Sequence, residues 1–248
     1  MEYPKISFVT PTYEQDLRVL GLLKSIRAQN YPQSKIEIII IDGGSMDGVL
    51  DACKPFHVKI FPNPKVKAEG LGMGKDQGIH KATGEFIVIA EADIELMSKD
   101  WITQMLKPFK EHNEIFASVP RLFVHPQDSL TNQYLSFVGV DPFASYRSLE
   151  GALVLHSMKS ISFDGYSLVT LDKKKPYCMG SNGFMFRKKL IKEVGDYAQD
   201  VEFIARIAKK GFDHFAVVDD ARVWHKNVPN FKKFLTKRLR WINVYSKE

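Results

Sequence analysis

The stretch Gly84-Glu85-Phe86-Ile87-Val88-Ile89-Ala90-Glu91-Ala92-Asp93 decides the fold. Phe86 to Ala90 is a short apolar run bounded by a glycine and by acids, which predicts a fully buried strand of a mostly parallel sheet. With the backbone still extended beyond it, side chains two apart point the same way. Glu91 and Asp93 would then share one side, and Ala92 would turn back into the core. Adjacent carboxylates repel unless a cation or a shared proton relieves them. Hard oxygen ligands of this kind suit Mg2+ or Mn2+. The plain alternative is a pair of strand-end acids sitting in water, and the rest of the chain has to separate the two.

Working outward, the preceding segments alternate strand and helix. Ile6 to Thr10 is a β-branched and aromatic run closed by Pro11, and Leu17 to Ala28 carries apolar residues on one helical face. Ile36 to Ile41 predicts a second buried strand ending at Asp42, followed by the turn Gly43 to Gly48, a short helix from Val49 and a third strand over His57 to Phe61. That order predicts a right-handed parallel α/β unit, in which ligands bind outside the carboxyl ends of the strands. Three such ends carry polar clusters: Thr10 to Glu14, Asp42 to Asp47, and Glu91 to Asp93.

Gly70-Leu71-Gly72-Met73-Gly74-Lys75 has neither the Walker spacing nor GxGxxG. It reads either as a turn that holds a diphosphate through backbone N–H groups and one lysine, or as a flexible loop before the helix Asp76 to Ala82. Gly84 stands at that helix's C-cap. Beyond the opening strand, Trp101 to Glu111 predicts a helix and Ile115 to Val124 a strand, whereas residues 126–175 have mixed periodicity and read either as a region that shapes acceptor choice or as a helical layer packing its aromatics in the core. Met179 to Gly183 is a turn, Phe184 to Phe186 a strand, and Phe215 to Val218 with Arg222 to Trp224 a hairpin ending at His225. Asp200 opens the helix Val201 to Lys210, either as its N-cap or as a carboxylate kept ionised by the helix N-terminus. Residues 230–245 form an amphipathic helix whose basic face suits an anionic membrane surface or docking on its own domain.

The bulk numbers restrict the class. A chain of 248 residues with 44% hydrophobic and 26% charged content is an ordinary globular α/β protein. The formal charge of +6 favours an acidic partner such as phosphate or anionic lipid. No groove-reading motif points to nucleic acid. Cys53 and Cys178 have no metal-type spacing and predict reduced thiols in a cytoplasmic protein. Met1 to Lys5 does not read as a signal peptide, and no apolar run has the length of a membrane span.

Taken together, "ISFVTPTYEQ", "SIRAQNYPQSKIEIIIIDGGSMDG" and "GIHKATGEFIVIAEAD" resemble, in order and spacing, a family-two inverting glycosyltransferase of the GT-A fold, and the resemblance runs from Lys5 to about Trp241. It implies a Rossmann-like, mostly parallel central sheet flanked by helices, with a C-terminal acceptor-side region. Residues 1–228 would be a single domain, 1–97 the nucleotide-sugar half and 98–228 the acceptor half, with 229–248 the basic helix. By the same resemblance Pro11, Thr12, Tyr13, Glu14, Asp42 and Gly43 would hold base and ribose, and Lys75 would lie near the nucleotide. Glu91, Ala92 and Asp93 match the DxD motif, with Asp93 on the metal and His225 meeting it. Gly180 and Asn182 match a glycine loop near the acceptor, Gln199-Asp200 a Glu-Asp catalytic pair, and Arg240 and Trp241 part of a QxxRW motif.

The sequence departs from that pattern at Gly43, Glu91, Gln199 and Lys237, and Gln199 carries no charge, which leaves Asp200 alone as the base. The implied activity is metal-dependent sugar transfer from a nucleotide sugar, UDP-linked, to an acceptor hydroxyl or a lipid-linked phosphate or glycan. Mg2+ or Mn2+ would be the cofactor. Contact with the inner face of the membrane would run through residues 230–245. A sugar-nucleotide-forming nucleotidyltransferase and a non-enzymatic carbohydrate- or nucleic-acid-binding domain are the competing classes.

Overall fold

The computed structural model describes residues 3–13, 17–63, 72–138, 159–171, 179–197, 199–226, 230–236 and 239. Its centre is one ten-stranded sheet. The strands are β1 (Ile6–Thr12), β2 (Ile36–Asp42), β3 (Lys59–Pro62), β4 (Phe86–Ile89), β5 (Ile94–Leu96), β6 (Ala117–Phe123), β7 (Ser160–Phe163), β8 (Tyr166–Thr170), β9 (Phe184–Arg187) and β10 (His214–His225). Their order is β3-β2-β1-β4-β9-β6-β10-β8-β7, with β5 paired to the end of β10. β1, β2, β3 and β4 are mutually parallel, β6 and β10 continue in the same direction, and β9 runs against its neighbours β4 and β6.

Helices cover both faces, and strand parity selects which. Phe8, Ile38, Ile40 and Val88 face α1 (Val19–Arg27), α2 (Val49–Cys53) and α4 (Trp101–Glu111). Val9, Ile39, Ile41, Ile87 and Ile89 face the other way. There they meet α3 (Gly72–Lys81), α6 (Leu190–Val194) and α7 (Asp200–Lys209). Apolar residues on both faces are what a doubly covered parallel sheet requires. The remaining helix, α5 (Leu130–Val138), falls in the stretch whose periodicity was mixed.

Several local expectations need correction. β1 runs through Pro11 to Thr12. Val9 O accepts from Ala90 on the β4 side and Thr12 O from Gly43 on the β2 side, so alternation aims the Pro11 nitrogen toward β4. Pairing with β4 has already ended at Val9, so the missing N–H costs no ladder bond. Gly72, Gly74 and Lys75 of the glycine-rich stretch lie in α3, which begins at Gly72, and not in a turn, while Gly70 and Leu71 lie outside the described residues. Gly74 serves packing, since a Cβ there would lie 3.3 Å from Pro11 Cβ, and one on Gly78, a turn further along α3, would lie 2.3 Å from Val9 Cγ1, so the helix sits close on the sheet. Gly84 is not a C-cap either. A Cβ there would come within 2.7 Å of Ser7 N, a close approach that only glycine allows.

Residues 214–225 form one bent strand, not a hairpin. The register with β6 shifts between Val218 and Arg222, and Asp219 and Asp220 donate their N–H groups to Gly165 O. A bulge thus absorbs the polar pair that looked like a turn. Asp200 is the first helical residue of α7, and Gln199 occupies the N-cap without a side-chain cap bond.

Candidate active site

The carboxyl ends of the parallel strands gather most of the residues singled out in the sequence. Thr12 and Asp42 are register partners, both buried. Asp42 Oδ2 accepts from Gly44 N–H (2.8 Å) and Ser45 N–H (2.9 Å), and Oδ1 from the Ser45 hydroxyl (2.6 Å). Gly43 N–H donates to Thr12 O (2.9 Å), which ties the two loops together. Pro11 is buried beside them and Tyr13 is half-buried at the mouth. Glu14 lies outside the described residues.

α3 brings Lys75 to the next strand end. Lys75 Nζ lies 2.8 Å from Glu91 Oε1 and 2.9 Å from Asp200 Oδ1. Burial alone would lower this ammonium, but Asp200 and Glu91 outweigh it and hold it above the ordinary lysine range. Burial pushes the Glu91 carboxyl up, and Asp200 adds to that, while Lys75 and the Asn182 N–H pull it down without cancelling the rise. The cation that relieves these crowded carboxylates is therefore first of all the protein's own lysine. Two carboxylates and one ammonium leave the group with one surplus negative charge when both acids are ionised.

The chain does not stay extended past β4. Ala92 and Asp93 lie in a turn, and Glu91 and Asp93 have different partners, although Ala92 enters the core as expected. Glu91 Oε2 takes the Asn182 N–H, so the turn before β9 is fastened to the end of β4. Asn182 adopts φ +54° and Gly180 φ +139°. Asp93 Oδ2 lies 3.8 Å from His225 Nε2, and Asp93 Oδ1 is buried with no hydrogen-bond partner among the described residues. An orphaned carboxylate oxygen beside an imidazole is a donor set that fits a divalent cation. Gln199 is set beside Asp200 by the start of α7. Arg240 and Trp241 lie outside the described residues.

Five of the eight buried side-chain atoms without a partner among the described residues belong to this edge, Thr10 Oγ1, Thr12 Oγ1, Asn63 Nδ2, Asp93 Oδ1 and Asn182 Oδ1, and the other three are on Trp101, Gln104 and Arg206. Buried polar groups are nearly always satisfied in a folded protein, so a set of orphans lining one edge marks a place where something polar binds. Thr10 opens the polar cluster named in the sequence, whereas Asn63 and Tyr197 were not singled out there. Asn63 follows β3, where the Asp42-type logic applies, whereas Tyr197 offers no signal short of its contact with Asp200.

A second, mostly exposed group joins Asp76, His80 and Asp196. His80 Nε2 lies 3.0 Å from Asp196 Oδ1 and 3.6 Å from Asp76 Oδ1. Their ligand atoms all lie within 4.8 Å of one another, near enough for one cation. His80 and Asp196 are open to solvent, so mutual ion pairing is a sufficient account of their closeness.

The glycosyl transferase family 2 profile matches residues 7–195, which include β1 from Ser7 onward, β2 to β4, Lys75, the Glu91–Asp93 turn and the turn before β9. The chain belongs to glycosyl transferase family 2. Among curated members of the family, a GalNAc(5)-diNAcBac-PP-undecaprenol beta-1,3-glucosyltransferase of Campylobacter jejuni is 28% identical over 46% of this chain and 38% of its own length. A probable glycosyltransferase, YdaM of Bacillus subtilis, is 20% identical over 97% of this chain and 55% of its own. The chain thus spans only part of these relatives, about half of the longer match.

Solved structures agree on the fold. TarS of S. aureus in complex with UDP-GlcNAc superposes with a TM-score of 0.63 at 13% identity, covering 92% of this chain and 60% of that one. The mannosyltransferase PcManGT of Pyrobaculum calidifontis, in complex with GDP-Man and Mn2+, gives 0.60 at 16% identity, covering 91% and 58%. The family-2 chain therefore has the GT-A architecture, with its acidic strand ends on the sheet edge where such α/β folds bind ligands.

Proposed function

We propose that the protein transfers a hexose from a nucleotide sugar, UDP-linked, to an acceptor hydroxyl of a glycan or lipid-linked molecule, with inversion at the anomeric carbon. The observation that carries this reading is the row of orphaned polar atoms along the carboxyl edge, next to a buried lysine shared by two carboxylates. Residues 1–97 would form the donor half and 98–228 the acceptor half of a single domain. Pro11, Thr12, Tyr13, Glu14, Asp42 and Gly43 would receive base and ribose, and Glu91 with Ala92 the ribose and inner phosphate. Gly180 and Asn182 would face the acceptor, Gln199 would stand beside the catalytic Asp200, and Arg240 and Trp241 would contribute to substrate binding through the QxxRW-like stretch.

Asp93 and His225 would hold Mg2+ or Mn2+, which supplies Lewis-acid neutralisation of the leaving diphosphate. Lys75 offers its ammonium to the same phosphates, trading carboxylate partners for phosphate oxygens. Asp200 accepts the proton of the acceptor hydroxyl as that oxygen bonds to the anomeric carbon. The bond from that carbon to the diphosphate breaks in the same step, and the nucleoside diphosphate leaves. The transition state has the oxocarbenium character of glycoside chemistry.

No helix among the described residues is long and apolar enough to cross a membrane. Peripheral contact with the inner face, from the cytoplasm, is supported instead by Phe231, Leu235 and Leu239, 58%, 46% and 62% exposed at helical spacing beside the exposed Lys232 and Lys233. The Campylobacter relative is named for a lipid-linked acceptor, GalNAc(5)-diNAcBac-PP-undecaprenol.

The test is a thermal-shift panel of UDP-, GDP- and dTDP-sugars with and without Mn2+, followed by product analysis with the best donor. The expected result is a shift with one UDP-sugar that grows with Mn2+, and release of UDP. Release of pyrophosphate would identify a nucleotidyltransferase instead. Asp93→Ala should abolish the metal dependence of UDP affinity in calorimetry, and unchanged metal-linked affinity would move the cation elsewhere, with Asp76, His80 and Asp196 the next place to look.

A further inference from the structure

Building on the reading of Asp200 as proton acceptor, we propose that Tyr197 is the positioning residue for that carboxylate. It anchors Oδ1, so that Oδ2 is the oxygen presented to the acceptor hydroxyl.

Tyr197 lies between α6 and α7 and has no exposed surface. Its ring is stacked on Phe186 at 6.5 Å and packs against Phe203 at 4.6 Å between centroids. Its main-chain N–H donates to Asp76 Oδ1 at 2.8 Å. Ring and backbone are therefore fixed independently of the hydroxyl. That hydroxyl lies 2.7 Å from Asp200 Oδ1 and also contacts the Gly180 carbonyl. It has one proton for two acceptors, so the two bonds alternate. Gly180 is what lets the three groups meet: a Cβ there would lie 2.5 Å from the Tyr197 hydroxyl and 3.2 Å from Asp200 Cβ.

Lys75 Nζ reaches the same Asp200 Oδ1 at 2.9 Å and lies 5.9 Å above the Tyr197 ring. Two donors therefore converge on one oxygen, and among the described residues none reaches Oδ2. When a diphosphate draws Lys75 away, Tyr197 is the donor that stays. A neutral phenol holds the carboxylate in place without neutralising it, as an ammonium does, so the base keeps its orientation and its basicity together. The charged or titratable groups facing Asp200 are Lys75 from α3, Glu91 from the end of β4 and Tyr197 itself.

The test is Tyr197→Phe in the full chain, which keeps the ring and removes only the hydroxyl. The readouts are kcat, donor KM, the pH profile of kcat and the carbon-13 NMR titration of the Asp200 carboxyl. We expect kcat to fall about ten-fold, the order for a lost hydrogen bond to a charged group, with donor KM unchanged. Removing a donor makes the carboxylate more basic, so the acid limb of kcat and the Asp200 titration should both move to higher pH. Replacing Tyr197 by 3-fluorotyrosine, a stronger donor of nearly the same shape, should move both the other way. It also keeps the inference testable if the phenylalanine variant folds poorly. Wild-type kcat in Tyr197→Phe, or a lower kcat with an unmoved acid limb and titration, would overturn the inference. Failure of the wild-type protein to transfer sugar would break the functional reading itself, which separates the two failures.

Discussion

Glu37 and Glu91 are both acids set against the same sheet, at opposite ends of it, and they are treated in opposite ways. Glu37, near the start of β2, accepts from the Ser7 hydroxyl, Lys59, and the N–H and hydroxyl of Thr83. Burial pushes its carboxyl up, but Lys59, Ser7 and Thr83 outweigh that and bring it down to about 2. Glu91, at the end of β4, has only the Asn182 N–H and a lysine it must share with Asp200, and burial leaves it raised. The amino end of the sheet is satisfied and closed, whereas the carboxyl end is held together by one ammonium and keeps orphaned polar atoms. Stability is concentrated at one end and unspent binding capacity at the other, as expected where a site departs from local consistency.

The largest stability effect should come from removing the shared ammonium. Lys75→Met keeps the buried stem but leaves Glu91 and Asp200 facing each other, and it should cost about 3–5 kcal/mol in urea denaturation at neutral pH. A loss under about 1 kcal/mol would mean that water already screens the two acids. Next, Glu37→Gln should cost about 3 kcal/mol at pH 7, from a carboxyl lowered from 4.5 to about 2. Because the folded value is depressed, this contribution is fully present above pH 4.5 and is lost as pH falls through 2. The variant's stability should accordingly fall less steeply over that window, and an unchanged slope would contradict the contrast between the two ends. The smallest effect is expected for Glu91→Gln, within about 1 kcal/mol by the same assay, because it removes one of two acids competing for Lys75.

The same contrast explains what the sequence could tell. The strands β1, β2 and β4 were legible because Ile6 to Val9, Ile36 to Ile41 and Phe86 to Ile89 are, apart from Ser7 and Glu37, apolar on both faces. Asp42, Glu91 and Asp93 were legible because an acid that ends such a run is locally out of place. Asp42 is also satisfied locally, by Gly44 and Ser45, so its loop could be read as a turn. Lys75 and Asp200 are partners 125 positions apart, and no periodicity reports that. Gly74 reads as part of a turn or loop because its use, the close approach of α3 to Pro11, shows only in the packed sheet. β5 is three residues long, and β10 hides its bulge behind Asp219 and Asp220, whose N–H partner is on the β7–β8 turn. Tyr197 stayed invisible for the same reason: its importance lies in one oxygen three residues away across a helix start.

The most direct test of the account is a single-turnover assay of Asp200→Asn with a saturating UDP-sugar, run beside UDP calorimetry. Sugar transfer should fall about 10²–10⁴-fold, the usual worth of a general base, while UDP affinity stays at the wild-type value. Transfer at the wild-type rate would contradict it, because the carboxyl edge would then hold a nucleotide without supplying the base.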